Sequence, residues 1–454
     1  MHKNPKGAVL RVERKIWGIT RSQAFWLLLA ALAWFIESYD IGLMSVVLLP
    51  FKQLFHLTGS NTGILVASAT VGIVIGVVPS GYLADRLGRK RLLVASLIVY
   101  SVLTFLTGFA PGWQAVAVLR FLAGLGLGAM FPLPYTLLAE LSPKRVRGRV
   151  AGILDAFLSI GYFAAPLVGG WIMATSGLTT GWRVLFFLGG GGLIYAGVLA
   201  LFMPESPRWL KAHGRELDAA RVLARMGPEA REEVAALEVD TTPRRPFVVV
   251  WSRPYARRTL MLWLAFPSIL FVFYGIMNFM PTILTKEHLT GPAVLEFAAL
   301  IMAASIPGKF FEAWLVERVG RKAVLISFTL IAAAAALLFP TVRSDVGIVG
   351  IGMVLAFFGV SVDPAIKIFS AEQYPTAIRG TGVGLTEGVG RLLGGALAPY
   401  IMALMLSSSG IGGSFVFIAA VALVGALSVA ILGRETQGRV LEERVQTAPA
   451  ARAL

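Results

Sequence analysis

The residues of this chain that could do chemistry are charged side chains lying inside long apolar stretches. They are Glu37, Asp40, Arg120, Asp155, Lys309, Glu312, Asp363, Lys367, Glu387 and Arg391. A lone ionised side chain at a bilayer centre costs about 2.5–3.5 kcal/mol on the insertion scale. Such residues therefore face a partner or a polar cavity. Carboxylates in that setting can carry protons, and lysine or arginine can hold an anion. Asp363 and Lys367 are spaced i,i+4, as are Glu387 and Arg391, while Lys309 and Glu312 are i,i+3. These spacings put both members on one helix face. Each pair either neutralises itself and fixes packing or offers its charge to a ligand. Asp40 has no cation nearby in sequence, and Glu37 lies one turn before it. Two carboxylates in a dry setting cannot both stay ionised cheaply, so one of them is a candidate proton carrier. Enzyme chemistry has little support. The four histidines, His2, His56, His213 and His288, fall in tails or loops, and there is no cysteine. No nucleophile–base pair or metal-ligand set is apparent, and no Gly-x4-Gly-Lys-Ser/Thr loop points to ATP-driven work.

The elements that position these charges follow from composition. The chain is 56% hydrophobic and 15% charged, with a mean hydropathy of +0.75. A soluble protein carries about a quarter charged residues. Apolar runs of roughly 20 residues recur, enough to cross a hydrocarbon core about 30 Å thick. The expected class is an all-α membrane protein, since barrel strands would alternate in short segments. Twelve spans are predicted, at 22–50, 62–84, 92–110, 115–138, 150–174, 182–203, 259–285, 293–316, 323–341, 346–371, 380–406 and 411–433. They form two six-helix bundles, 22–203 and 259–433. Residues 1–21 form a basic tail, 204–258 a central loop with short helices near Glu216–Met226 and Pro228–Leu237, and 434–454 a second tail. The apolar run after the first tail is too long for a signal-peptide core. The net charge of +16 sits in short loops, so no nucleic-acid partner is expected. Loops after odd-numbered spans hold few cations (Lys52, Lys286, Arg343). Loops after even-numbered spans hold many, from Arg86 to Arg91, Lys144 to Arg149 and Arg318 to Lys322, with Arg379. This bias places both termini in the cytoplasm.

An internal repeat ties the two bundles together. Gly81-Tyr-Leu-Ala-Asp-Arg-Leu-Gly-Arg-Lys-Arg91 is echoed at Glu317-Arg-Val-Gly-Arg-Lys322, and 317 − 85 = 232. Ala139-Glu-Leu-Ser-Pro143 with Arg147 is echoed at Ala371-Glu-Gln-Tyr-Pro375 with Arg379, and 371 − 139 = 232. A shared offset in two motifs reads as a parallel duplication about an axis along the membrane normal. The same offset relates Asp155 to Glu387, each eight residues beyond its loop arginine. They are expected to face each other across a central cavity. Loop charges at the helix ends are expected to gate through salt bridges: Asp85, Arg86, Arg89, Glu140 and Arg147, then Glu317, Arg318, Arg321, Glu372 and Arg379, with Gly81 and Gly88 at the turn. Among the aromatics, Tyr39 and Tyr274 are candidates to stack on a planar substrate, because their hydroxyls need a polar neighbour.

These motifs resemble the major facilitator superfamily, and within it the sugar-porter and organic-ion branches. Gly81–Arg91 resembles the superfamily's loop signature. Arg120-Phe-Leu-Ala-Gly-Leu-Gly-Leu-Gly128 resembles its fourth-span pattern, and Pro204-Glu-Ser-Pro-Arg-Trp-Leu210 the central-loop signature of both branches. Glu435-Thr-Gln-Gly438 with Leu441-Glu-Glu443 resembles the sugar-porter ending, with Arg434 where proline is usual. The paired glutamines of the sugar-porter seventh span are missing from Phe266–Gly275, and Asp155 stands where the fifth-span glutamine would be. That loss of amide partners counts against a hydroxyl-rich ligand. Lys309, eleven residues before Gly320, and Arg391, twelve after Arg379, are similar in position to the anion-binding cations of organic anion transporters. Tyr39-Asp40 and Arg120 resemble the first-span aspartate and fourth-span arginine of proton-coupled sugar porters. The resemblance implies a proton-coupled symporter of a small organic anion, such as an aromatic carboxylate, working by alternating access. Asp40, Arg120 and Glu37 would handle the proton; Lys309, Arg391, Asp155, Glu387, Tyr39 and Tyr274 would line the substrate site. It implies no cofactor or metal, and a monomer in the cell membrane whose partners are substrate, protons and lipid. A proton-linked sugar or polyol porter, a drug or metabolite exporter and a transporter-like sensor remain the alternatives.

Overall fold

In lipid every backbone polar group must be satisfied within the chain, so apolar stretches of this length form helices. The computed structural model describes residues 19–130, 132–142, 147–226, 246–287, 293–374 and 376–436. Among them it holds helices and no strands. Eleven helical stretches are long and apolar enough to cross a membrane. One of them, Gly152–Phe202, runs 51 residues. At 1.5 Å per residue that is about 75 Å, more than twice the hydrocarbon thickness. It is broken at Gly177, whose φ of 72° lies in the left-handed region. This turn makes it two spans, the fifth and sixth, and the total is twelve.

Helix ends follow local chemistry. The first span, Arg21–Leu54, opens on a capping box in which Thr20 accepts from the Gln23 N–H and Gln23 accepts from the Thr20 N–H. The second span, Gly59–Leu87, and the third, Arg89–Thr107, are joined only through Gly88, with φ of 99°. The eighth, Ala293–Val319, and the ninth, which starts at Arg321, are joined only through Gly320, with φ of 98°. These two glycines are themselves 232 residues apart, and a side chain at either would be strained. The seventh span, Arg253–Lys286, starts six residues before its predicted start at 259, and this extension is anchored by Arg257 and Arg258, which donate to the carbonyls of Ile431 and Gln373. Among the described residues the central segment forms the short helices Pro207–Ala212 and Glu216–Arg225, packed through Trp209, Leu210 and Ala219, and a single turn at Pro246–Val249. The expected helix at Pro228–Leu237 and the tail beyond Thr436-Gln437 lie outside the described residues, as do the side chains of Arg147 and Arg379.

Two spans change pitch where charge is needed. The tenth passes from Asp345–Leu355 through a π-helical turn, Ala356–Val360, into Asp363–Glu372, which carries Pro364 in its first turn. The eleventh passes from Thr376–Gly390 through a second π-helical turn, Arg391–Ala396, into Leu397–Ser408. Insertions of this kind re-aim side chains and recur at functional sites. Across the two halves, the second span packs on the eleventh, the fifth on the eighth and the first on the seventh. The packing is uneven. The second span lies against Leu397–Ser408, with Gly59 on Ser407 and Gly63 on Tyr400, and hardly touches Thr376–Gly390. At the other end, no atom lies within 4 Å of the Cβ positions of Gly152, Gly384 or Gly388. Between the second and eleventh spans the halves pack more closely toward the end with cation-poor loops than toward the cation-rich end.

Candidate functional site

The internal charges form two separate groups. The first lies wholly within the first half. Arg120, on the fourth span (Trp113–Leu138), donates from both terminal nitrogens to Asp40, with Nη1–Oδ1 at 2.9 Å and Nη2–Oδ2 at 2.5 Å. Nη1 also reaches Thr104 Oγ1 at 3.4 Å, and the guanidinium lies 5.8 Å from the ring centre of Phe186. Both side chains are 0% exposed. This is the bidentate geometry that makes an arginine–carboxylate pair strong. The pair links the first and fourth spans, walled by the third and sixth.

The second group spans the halves. Asp155, on the fifth span, presents Oδ1 to the Tyr135 hydroxyl at 2.7 Å and to Lys367 Nζ at 3.6 Å. Lys367 is held more closely by Asp363 on its own helix, at 2.7 Å. Its ammonium also lies 5.5 Å from the Trp34 ring centre and 5.8 Å from that of Tyr135, within cation–π range. Lys309, only 4% exposed, donates to the backbone carbonyl of Asp155 at 3.2 Å. An ammonium has three donors, and no carboxylate among the described residues lies within 4.0 Å of this one. Glu312, one turn along the same helix, is 1% exposed and has no hydrogen-bond partner on Oε1.

Glu37 joins the two groups. It is 1% exposed, and neither of its oxygens has a hydrogen-bond partner among the described residues. Its electrostatic neighbours are Arg391, Lys367 and Asp40. Arg391 sits at the start of the eleventh span's π-helical turn, buried, with Tyr274, Glu387, Asp363 and Glu37 as its electrostatic neighbours. Asp155 and Glu387, from opposite halves, are both electrostatic neighbours of Lys367. Tyr274 is buried edge-on to Phe273, whose ring in turn meets Tyr162 of the first half. The Tyr39 ring stacks on Phe35 of its own helix, and its charge neighbour is Asp40. In the cross-half group three cations, Lys309, Lys367 and Arg391, thus meet five carboxylates: Glu37, Asp155, Glu312, Asp363 and Glu387. Nothing in this arrangement pairs a nucleophile with a base.

The sugar (and other) transporter family matches residues 26–447, nearly the whole chain. The chain belongs to that family, within the major facilitator superfamily. It is 34% identical over 417 residues to the niacin transporter NiaP of Acinetobacter baylyi, covering 90% of this chain and 94% of the relative. It is 27% identical over 408 residues to the 4-hydroxybenzoate transporter PcaK of the same organism, covering 87% of each. Among solved structures, the inward-open xylose transporter XylE from E. coli aligns with a TM-score of 0.77 at 20% identity, over 93% of this chain and 98% of that one. Family membership makes this multi-pass membrane protein a transporter and not an enzyme.

In this transporter Arg86, Arg89, Arg318 and Arg321 meet partners within their own halves. Arg89 pairs with Asp85 at 2.9 Å and approaches Glu140 at 3.8 Å. In the second half Arg321 pairs with Glu372 at 3.2 Å, and Thr436 donates to the same carboxylate. Arg86 and Arg318 instead lie over Tyr82 and Trp314 of their own helices. Gly81 is open on its Cβ side, and Glu317 is exposed. Sequence spacing leaves two further features unassigned. Glu205 accepts from the Lys90 N–H at 3.0 Å, and Glu435 from the Arg321 and Lys322 N–H groups at 3.1 and 3.0 Å. Each carboxylate thus caps the first turn of the third or ninth span, where the helix dipole favours it. Both lie in motifs visible in the sequence, but 435 − 205 = 230 falls off the repeat. Trp34 and Tyr135 are the other additions, and Lys367, a candidate whose role the spacing left open, gains partners from the first half. Only the i,i+4 spacing from Asp363 marks Lys367 in the sequence, and that spacing reads equally as a self-contained pair.

Proposed function

We propose that this protein is a proton-coupled symporter that imports small carboxylates, with an aromatic carboxylate as the preferred substrate. One observation carries the reading: Lys309 is a buried ammonium whose hydrogen bond goes to a backbone carbonyl, in a cluster that also holds Lys367 and Arg391. A buried cation without a paired carboxylate is costly to keep, and a substrate carboxylate would complete it. Arg391 can add a two-point contact. The ring would pack among Trp34, Tyr162, Phe273 and Tyr274. Niacin and 4-hydroxybenzoate, the substrates named for two relatives, are both an acid group on an aromatic ring.

The charge balance supports proton coupling. A carboxylate entering a cluster where carboxylates already outnumber cations adds a further negative charge, so a proton accompanying it relieves the repulsion. Glu37 is placed to take part, between Arg391 of the substrate site and Asp40 of the Arg120 pair. In this scheme protonation of Asp40 releases Arg120, and the two halves rock about the cluster. The cation-rich, less closely packed end faces the cytoplasm by the positive-inside rule, as do both termini, so this conformation is the inward-facing one. The loop pairs Arg89–Asp85 and Arg321–Glu372 stiffen the helix ends that must meet when that side closes. The protein works as a monomer in the cell membrane.

The test is uptake by proteoliposomes of labelled nicotinate and 4-hydroxybenzoate, with xylose as the comparison solute. An imposed inward proton gradient is expected to drive accumulation of the acids, and dissipating it to abolish accumulation. Uptake of xylose alone would favour a proton-linked sugar porter, and acid uptake indifferent to the gradient would exclude symport.

A further inference from the structure

The cross-half cluster contains an arrangement that already imitates a bound carboxylate. Asp155 reaches from the first half toward two lysines of the second. Its carboxylate faces Lys367 at 3.6 Å, and its backbone carbonyl accepts from Lys309 at 3.2 Å. The two contacts to Lys367 are unequal. Asp363 holds it at 2.7 Å from the same helix. At 3.6 Å the contact from Asp155 is an ion pair but no longer a hydrogen bond. Asp155 has a second tie, the Tyr135 hydroxyl at 2.7 Å, which stays with it inside the first half if Lys367 lets go. The Lys367 side chain is 17% exposed while that of Asp155 is 4% exposed, so the lysine is the member that an arriving solute reaches.

We propose that Asp155 is an internal stand-in for the substrate: in the empty protein it occupies the seat at Lys367 that the substrate's carboxylate takes, and substrate binding displaces it. The reasoning rests on the carboxylate reading above and extends it to a specificity-determining residue. An incoming anion cannot add itself to three cations already facing five carboxylates without one of them giving way. Asp155 is the carboxylate placed to do so: it belongs to the opposite half, its contact is long, and Tyr135 remains to hold it. Asp363 cannot leave, because it shares a helix turn with Lys367. The exchange has a mechanical consequence. The Asp155–Lys367 contact ties the fifth span to the tenth, so replacing it with a mobile ligand frees one tie between the halves at the moment the substrate is seated. An acid would release this tie, and a neutral analogue of the same shape would not.

The experiment compares benzoate with benzamide, equal in shape and different in charge, by tryptophan fluorescence titration of the purified full chain. The parent is expected to prefer benzoate. Asp155→Asn removes the competing charge and keeps the Tyr135 contact, so its Kd for benzoate is expected to fall about tenfold with its Kd for benzamide unchanged. Asp155→Glu keeps the competitor and is expected to show no tightening. A parent that prefers benzoate, with an Asp155→Asn variant that binds it no more tightly, overturns this inference and leaves the carboxylate reading standing. A parent that does not distinguish benzoate from benzamide overturns both. A second measurement is independent of substitutions at Asp155. The chain has no cysteine, so spin labels on Thr136→Cys and Ile368→Cys report the distance between the fourth and tenth spans. Benzoate is expected to broaden or shift that distance and benzamide to leave it alone; identical responses to the two ligands would also overturn the inference.

Discussion

The Asp40–Arg120 pair and the cross-half cluster are built from the same residue types and do opposite things. In the first, both terminal guanidinium nitrogens of Arg120 meet both carboxylate oxygens of Asp40 in two short hydrogen bonds, only Arg120 Nε is left without a partner among the described residues, and both side chains are fully buried. In the second, an ammonium rests on a carbonyl, another is shared between two carboxylates at unequal distance, and Glu37 and Glu312 keep oxygens without partners. A carboxylate matched to a guanidinium in this way and enclosed within one half offers no charge to a ligand, which suits the proton lock proposed above. An incomplete cluster at the seam of two halves has charge to offer and moves when the halves move. On the proposed reading, how far a buried charge is matched separates structural from substrate-handling charge better than how deeply it lies.

That contrast can be broken from either side. The largest effect is expected at the completed pair. Arg120→Leu leaves Asp40 buried without a partner, and breaking a buried pair in this way costs about 3–5 kcal/mol. The detergent-solubilised variant should melt far below the parent; an unchanged melting temperature would mean that the pair is not the lock described here. Asp40→Asn keeps the shape and one of the two acceptors for Arg120, so it should fold with reduced stability, lose uphill accumulation and retain exchange of acid across the membrane. Survival of accumulation would move the proton to Glu37. Next in size, Lys367→Met should weaken benzoate binding by roughly tenfold and lower stability by less than Arg120→Leu. Asp363 and Asp155 lose a cation, but Asp363 keeps Lys309 and Arg391 as electrostatic neighbours and Asp155 keeps its Tyr135 hydrogen bond. A drop in stability as large as that of Arg120→Leu would erase the distinction between the two regions. The smallest effect is expected at Arg86 and Arg318, which lie over their own helices' rings. Exposed contacts of this kind contribute on the order of 0.5–1 kcal/mol, and Arg86→Gln should leave both melting temperature and uptake close to those of the parent.

Much of this could be read without coordinates, and the reasons are physical. Span number and class follow from hydropathy and length alone, and the repeat of 232 residues locates two glycines, Gly88 and Gly320, that the structure holds at nearly the same positive φ. The Asp40–Arg120 pairing is legible through family resemblance, since 80 residues separate the two and nothing local joins them. What the sequence hides is direction. Helical periodicity assumes a regular pitch, and the π-helical turns at Ala356–Val360 and Arg391–Ala396 reset it just before Lys367 and at Arg391. Lys367 consequently reads as a local partner of Asp363, while its contacts to Asp155, Trp34 and Tyr135 come from three other spans. Tyr39 shows the converse. It adjoins Asp40 in sequence, and its ring stacks on Phe35 of its own helix.

The central claim is that the incomplete cations read a carboxylate, and Lys309 tests it most directly. The measurement is the ratio of benzoate to benzamide affinity in the parent and in Lys309→Met, taken at equal pH and salt. The account expects the parent to favour benzoate by at least about tenfold and the variant to lose that preference through weaker benzoate binding, with benzamide binding held. A variant that keeps the full preference for benzoate would contradict it.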